Sequence, residues 1–110
     1  MKDLTKTEEI LLLSIWRLKD QAYGFKIRRH ISELIGKDFS YGNLYSSLNQ
    51  LTKKKYVTKH QGESTPARRG KTRMYYTLSD AGRLALKEAH ETNLKLWSGV
   101  PKYIFDTKNK

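Results

Sequence analysis

The spacing of apolar residues changes character at Lys55, and this change constrains the fold of the 110-residue chain more than any other feature. Before it, apolar residues recur at helical intervals. After it they alternate with polar ones in two short runs rich in β-branched and aromatic side chains, the pattern of half-buried strands. At this length, one domain must accommodate both.

Thr5 followed by Glu8 makes a capping box, so a first helix is expected at 6–19. Ile10, Leu11, Leu12, Leu13, Ile15, Trp16 and Leu18 point nearly all round it, which implies burial on more than one side, the second supplied by a partner chain. A second helix is expected at 24–35, opening at Tyr23-Gly24, with Ile27, Ile31, Leu34 and Ile35 on one face and Gly36 as its stop. Ser40 caps a third, at 41–54, in which Leu44, Leu48 and Leu51 form a narrow inward stripe. Three short helices in this order are the skeleton of a helix-turn-helix unit.

Strands are expected at 56–60 and 72–78, and the segment between them, Gly62 to Lys71, is dense in Arg and Lys, which makes the pair a basic-tipped wing. Ser79-Asp80 caps a last helix at 80–98, closed by Gly99 and Pro101. Its apolar stripe of Ala85, Leu86, Ala89, Leu96, Trp97 and Val100 requires a partner surface. Residues 102–110 read as a polar tail. The expected fold is therefore mainly α (α+β): a winged helix-turn-helix DNA-binding domain over 1–78, and a C-terminal dimerisation helix with a short tail over 79–110.

A formal charge of +11 favours a polyanionic partner, and its distribution is uneven. Eight basic residues and one acid, Glu63, lie between Lys53 and Arg73, and no acid occurs from Ser40 to Gln61. On the third helix, opposite the leucines, stand Gly42, Ser46, Asn49, Gln50 and Lys53, flanked by Tyr41, Asn43 and Tyr45. Amides can bond an adenine edge at two points, while hydroxyls and ammonium groups grip phosphates. In the wing, Arg68, Arg69, Lys71 and Arg73 suit phosphates or the minor groove.

The composition points away from other classes. The chain contains no cysteine, and its three histidines, His30, His60 and His90, are scattered without companion ligands, so no metal site and no cofactor are expected. No nucleophile elbow, P-loop or dinucleotide-binding glycine motif occurs, so no enzyme is expected. No apolar run reaches membrane-spanning length, and Met1-Lys2-Asp3-Leu4-Thr5 lacks a signal-peptide core, so a cytoplasmic protein without membrane contact is the expectation. Two other readings suit the charge: a basic RNA-binding or architectural protein, and a winged-helix partition or adaptor module without an effector.

Three stretches, LKDQAYGFKIRR (18–29), GNLYSSLNQLTKKKYV (42–57) and GKTRMYYTLSDAGRLAL (70–86), together resemble the PadR family of transcriptional regulators. Tyr23-Gly24 matches the family's YG, Leu44-Tyr45 its LY, and Tyr75 to Leu78 with Ala81-Gly82 its closing strand and last-helix start. Tyr56 departs from the glycine that members often carry. The resemblance implies a winged helix-turn-helix, homodimerisation through the last helix with help from the first, and repression of double-stranded DNA targets released by a small hydrophobic effector. On this reading Leu11, Ile15, Leu86, Ala89, Asn93, Leu96, Trp97 and Val100 form the dimer interface. The chain is similar to the short subfamily, some members of which place a Trp from each last helix across a drug-binding pore. Trp97 stands at a comparable place, either lining such a pore or packing in the dimer core.

Overall fold

The computed structural model describes residues 3–62 and 72–106. Among these, the elements run α1 (Lys6–Leu18), α2 (Gly24–Ile35), α3 (Tyr41–Lys53), β1 (Val57–Gln61), β2 (Met74–Leu78) and α4 (Asp80–Trp97), with 3-10 turns at Lys19–Gln21 and Lys102–Phe105. β1 and β2 pair antiparallel from Val57–Leu78 to Gln61–Met74. The order and pairing are those of a winged helix-turn-helix.

The helices begin where their capping chemistry requires. Thr5 Oγ1 accepts from the Glu8 N–H at 3.1 Å while Glu8 accepts from the Thr5 N–H at 2.9 Å. Ser40 accepts from the Asn43 N–H at 3.1 Å, and Ser79 from the Gly82 N–H at 3.0 Å. A cap of this kind contributes about 1 kcal/mol. α2 stops at Gly36, which takes the left-handed conformation at φ 70°.

The core gathers Leu11, Leu12 and Ile15 of α1, Ile27 and Ile31 of α2, Leu44, Leu48 and Leu51 of α3, and Val57 and Tyr76 of the sheet. This corrects two interface expectations: Leu11 and Ile15 are buried to 0% and 1% exposure within the chain's own core, so they have no surface left for a partner. The apolar side chains that α1 leaves exposed are Leu13 and Trp16. On α2 the expected single face is split, since Ile27 and Ile31 are buried whereas Leu34 and Ile35 are about half exposed.

A third, very short strand-like contact pins the sheet to the helices. The Tyr76 N–H donates to the Ala22 carbonyl at 2.9 Å, and Tyr23 bridges Tyr75. β2 begins at Met74 and not at Thr72, and β1 begins and ends one residue later than expected, because Tyr56 is consumed by the end of α3. Its N–H donates to the Leu51 carbonyl and that of Lys55 to Thr52, both at 3.0 Å, with Lys55 at φ 66°. This is a Schellman ending in which a lysine occupies the position that glycine usually fills.

The same corner receives α4. The Ser79 hydroxyl donates to the Lys55 carbonyl at 2.7 Å and the Ser79 N–H to the Tyr56 carbonyl at 3.0 Å. A Cβ on Gly82 would lie 2.2 Å from that Tyr56 oxygen, so the first turn of α4 can approach only with glycine there. Beyond this anchored start α4 projects outward, and every residue from His90 to Asp106 is exposed, which gives extents of 60 × 32 × 21 Å. The expected polar tail is in part a 3-10 turn, Lys102–Phe105, with Phe105 against Trp97 at 5.7 Å between ring centroids.

Lys54, just past α3, pairs with Glu8 of α1. Burial disfavours ionisation of Glu8, but the Lys54 ammonium and the Thr5 hydrogen bonds outweigh it and hold the carboxyl below its usual range. The lowered value means that this contact stabilises the fold above the ordinary glutamate pKa of about 4.3 and is lost as pH falls through the folded-state value. Urea unfolding followed by circular dichroism should show a Glu8→Gln variant with a weaker loss of stability than wild type between about pH 5 and pH 3. Lys55→Gly should raise stability by about 0.5–1 kcal/mol by relieving the left-handed strain, read as a higher melting temperature.

Candidate nucleic-acid interface

α3 divides cleanly into two faces. Leu44, Leu48 and Leu51 are fully buried, and the helix presents Gly42, Asn43, Ser46, Asn49, Gln50 and Lys53 outward, all of them exposed. Gly42, Ser46, Asn49 and Lys53 follow one another at intervals of four, three and four residues, which places them on one stripe along the helix. Asn43 and Gln50 border it on one side, Tyr41 and Tyr45 on the other. The structure therefore brings together all eight expected positions of this helix.

The tyrosine border continues into α2 and the base of the wing. Tyr41 and Tyr45 stack at 6.3 Å between centroids. The Arg28 guanidinium lies 4.7 Å from the Tyr41 ring centre, and its Nε–H donates to the Phe39 carbonyl. Arg28 thus ties α2 to the residues that launch α3. Arg73 lies 4.1 Å above Tyr23, which in turn meets Tyr75 edge-on at 5.4 Å. Between these groups opens a hollow of about 430 Å³, whose lining includes Tyr23, Phe25, Tyr41, Tyr45 and Arg73.

Sequence reasoning missed Arg28 and Phe25 on this surface. Arg28 acts on residues eleven and thirteen positions away, across the turn between two helices, and no local pattern announces that contact. Half-exposed Phe25 at the start of α2 was detectable as an aromatic outside the Ile27–Ile31 stripe. Of the four expected wing residues, Arg73 is placed at the foot of the hairpin, and Arg68, Arg69 and Lys71 lie outside the described residues.

The electrostatics of this face are one-sided. Acidic side chains are absent from Ser40 to Gln61, and Lys53, Lys54, Lys55 and Lys59 follow the reading stripe. A surface of exposed amides, hydroxyls, tyrosines and cations on a projecting helix can bond base edges while tolerating flanking phosphates. Among the described residues, no group of three or more His, Asp or Glu side chains is placed to hold a metal ion, and no helix is long and apolar enough to cross a membrane.

On α4 the expected interface residues separate by depth. Leu86 and Ala89 are partly buried against the chain itself, whereas Asn93, Leu96, Trp97 and Val100 are exposed together with Leu84 and Leu94, two leucines that the expected stripe omits.

The family model described as the transcriptional regulator PadR-like family matches residues 12–88. Among solved structures, the chain is similar to a PadR-like transcription factor from Bacteroides fragilis, at 26% identity and a TM-score of 0.74 over 89% of this chain and 88% of that one. It is similar to RosR of H. salinarum at 25% identity and a TM-score of 0.67, over 92% and 84% of the two chains. A PadR family transcription regulator from Clostridium difficile, at 24% identity and a TM-score of 0.66, covers 90% of this chain with 98% of its own and shares the fold. No curated protein matches the sequence.

Gly42 offers a direct test of the reading stripe, because a Cβ placed there meets nothing within 4 Å in the chain. Gly42→Ala should leave the melting temperature unchanged or raise stability by up to about 1 kcal/mol. Duplex affinity, followed by fluorescence anisotropy, should fall by about 1–3 kcal/mol if the groove closes on that bare backbone.

Proposed function

Since the chain belongs to the PadR-like family of transcriptional regulators, we propose that it is a homodimeric repressor that reads duplex DNA with α3 and is released by a small hydrophobic effector. It is a DNA-binding regulator and not an enzyme. The observation that carries the reading is the outward face of α3, where every side chain is exposed, none is acidic, and the helix is fixed from behind by three fully buried leucines.

In this mechanism α3 lies in the major groove. Asn49 and Gln50 bond base edges, Ser46 and Lys53 engage the flanking backbone, and bare Gly42 admits the groove wall. Tyr41, Asn43 and Tyr45 orient the helix on one strand. The wing residues Arg68, Arg69, Lys71 and Arg73 add phosphate or minor-groove contacts, which carry affinity without reading sequence.

The dimer would form through the exposed apolar surface of α4. Leu96, Trp97 and Val100 supply its centre, Leu86, Ala89 and Asn93 extend it towards the body, and Leu13 and Trp16 of α1 lie ready to meet the other copy. Residues 1–78 then bind DNA and 79–110 hold the two copies together. Two α3 helices related by a two-fold axis suit half-sites about one helical turn apart. A half-exposed Trp97 among apolar neighbours is where a planar hydrophobic effector would stack and alter the spacing of the two reading helices.

Selection from random duplexes at near-physiological salt should enrich a pseudo-palindrome with half-sites about 10 base pairs apart. Weak binding without sequence preference that vanishes with salt would instead mark an architectural protein. On the selected site, Asn49→Ala and Gln50→Ala should each cost about 1–3 kcal/mol while barely changing non-specific binding. Arg68→Ala and Arg69→Ala should weaken both kinds of binding alike, and equal losses for all four variants on both DNAs would overturn this division.

A further inference from the structure

Gly24, Arg28 and Ser32 stand one turn apart on a single stripe of α2, and each meets a different part of the segment that leads into and begins α3. A Cβ on Gly24 would overlap the Tyr45 hydroxyl, so that phenol lies directly on the α2 backbone. The Arg28 guanidinium covers the Tyr41 ring at 4.7 Å, and its Nε–H donates to the Phe39 carbonyl. The Ser32 hydroxyl donates to the Asp38 carboxylate at 2.7 Å. As the stripe runs forward along α2, its partners run backward from Tyr45 through Tyr41 and Phe39 to Asp38. The contacts are rungs between two oppositely directed segments, and the stacking of Tyr41 on Tyr45 joins the first two rungs.

These rungs control a motion that the core leaves soft. Leu44, Leu48 and Leu51 hold α3 through apolar contact, which is non-directional and opposes separation of the helices more than a small roll of α3 about its axis. Side-chain tips lie about 5–6 Å from a helix axis, so a roll of about 20° moves them by about 2 Å. That displacement takes an amide of Asn49 or Gln50 out of hydrogen-bonding range of a base edge.

Arg28 is the rung best built to resist the roll. Its planar face is spent on Tyr41 and its Nε edge on Phe39, so one rigid group fixes the first residue of α3 and the turn before it in two directions. A lysine in its place would keep the charge but would have neither the planar face nor the Nε–H. The neighbouring Arg29 has no such role, being exposed and paired with Glu33 at 3.0 Å on α2 itself.

We infer that Arg28 is a positioning residue for sequence discrimination. It sets the rotation of α3 through Tyr41 and Phe39, and so aligns Asn49 and Gln50 with the bases. The inference rests on α3 being the DNA-reading helix, as proposed above, and adds to it a determinant of specificity that lies on α2.

The test compares Arg28→Lys and Arg28→Gln with wild type by fluorescence anisotropy, on the duplex that wild type selects and on random duplex. Both variants should lose about tenfold in affinity for the selected duplex, with the helical circular dichroism unchanged. Arg28→Lys keeps the charge and should bind random duplex within about twofold of wild type. Arg29→Lys should change neither affinity. In a Tyr41→Ala background the rung is already broken, so adding Arg28→Lys should cost less than about threefold more. Selection repeated with Arg28→Lys should relax the preference at several positions of each half-site. An Arg28→Lys protein that binds the selected duplex as wild type does would show that only the charge counts and overturn the inference. So would equal losses on both duplexes, or a preference lost at a single base pair, which would make Arg28 a direct reader. A wild-type chain that enriches no sequence would instead remove the reading role of α3 on which the inference stands.

Discussion

The tightest constraint in the molecule is the approach of α4 to the corner that ends α3. Gly82 passes over the Tyr56 carbonyl at a distance no side chain could share, and Ser79 bonds the carbonyl of Lys55 with its hydroxyl and that of Tyr56 with its N–H. The end of α3 and the start of α4 are therefore joined by backbone contacts within one turn of each other. The contacts joining them involve backbone carbonyls and not long, adjustable side chains. This corner is the shortest path in the structure from α4 to the face of α3 proposed to read DNA.

Not all of the 22 Lys and Arg side chains stand uncommitted on the surface. Lys54 is committed to Glu8, Arg29 to Glu33, Arg28 to the Phe39 carbonyl and the Tyr41 ring, and Arg73 to Tyr23. Arg28 and Arg73 both border the reading face, yet each is already shaping it, one by setting the entry of α3 and the other by seating the foot of the wing. A planar guanidinium suits this double duty, because stacking on a ring leaves its edge donors available.

Much of this was legible in the sequence, for local reasons. Thr5, Ser40 and Ser79 announced the helix starts, Gly36 one stop, and the three leucines of α3 its inward face, because capping and periodicity act within a turn or two. The misassigned residues are those whose role depends on distant partners. An α1 that is apolar nearly all round does not say which side its own core takes, and so Leu11 and Ile15 were assigned outward while Leu13 and Trp16 hold the surface. Lys55 at positive φ breaks the usual glycine preference and was invisible to it. The same holds for the C-terminal turn, where Tyr103, Ile104 and Phe105 sit among polar residues and the partner of Phe105, Trp97, lies eight residues back on α4.

The outer part of α4 has a further consequence. An isolated helix of this length is marginal in water, and from His90 onward this one has no body to lie on. Whatever covers it contributes the missing stabilisation, so the order of that segment becomes a mass-action quantity that rises with the concentration of the covering species. Where that species is the chain itself, the DNA-competent form grows with the square of total protein at low abundance. Synthesis rate then becomes an input as real as any ligand, and a modest change in expression is converted into a steeper change in operator occupancy.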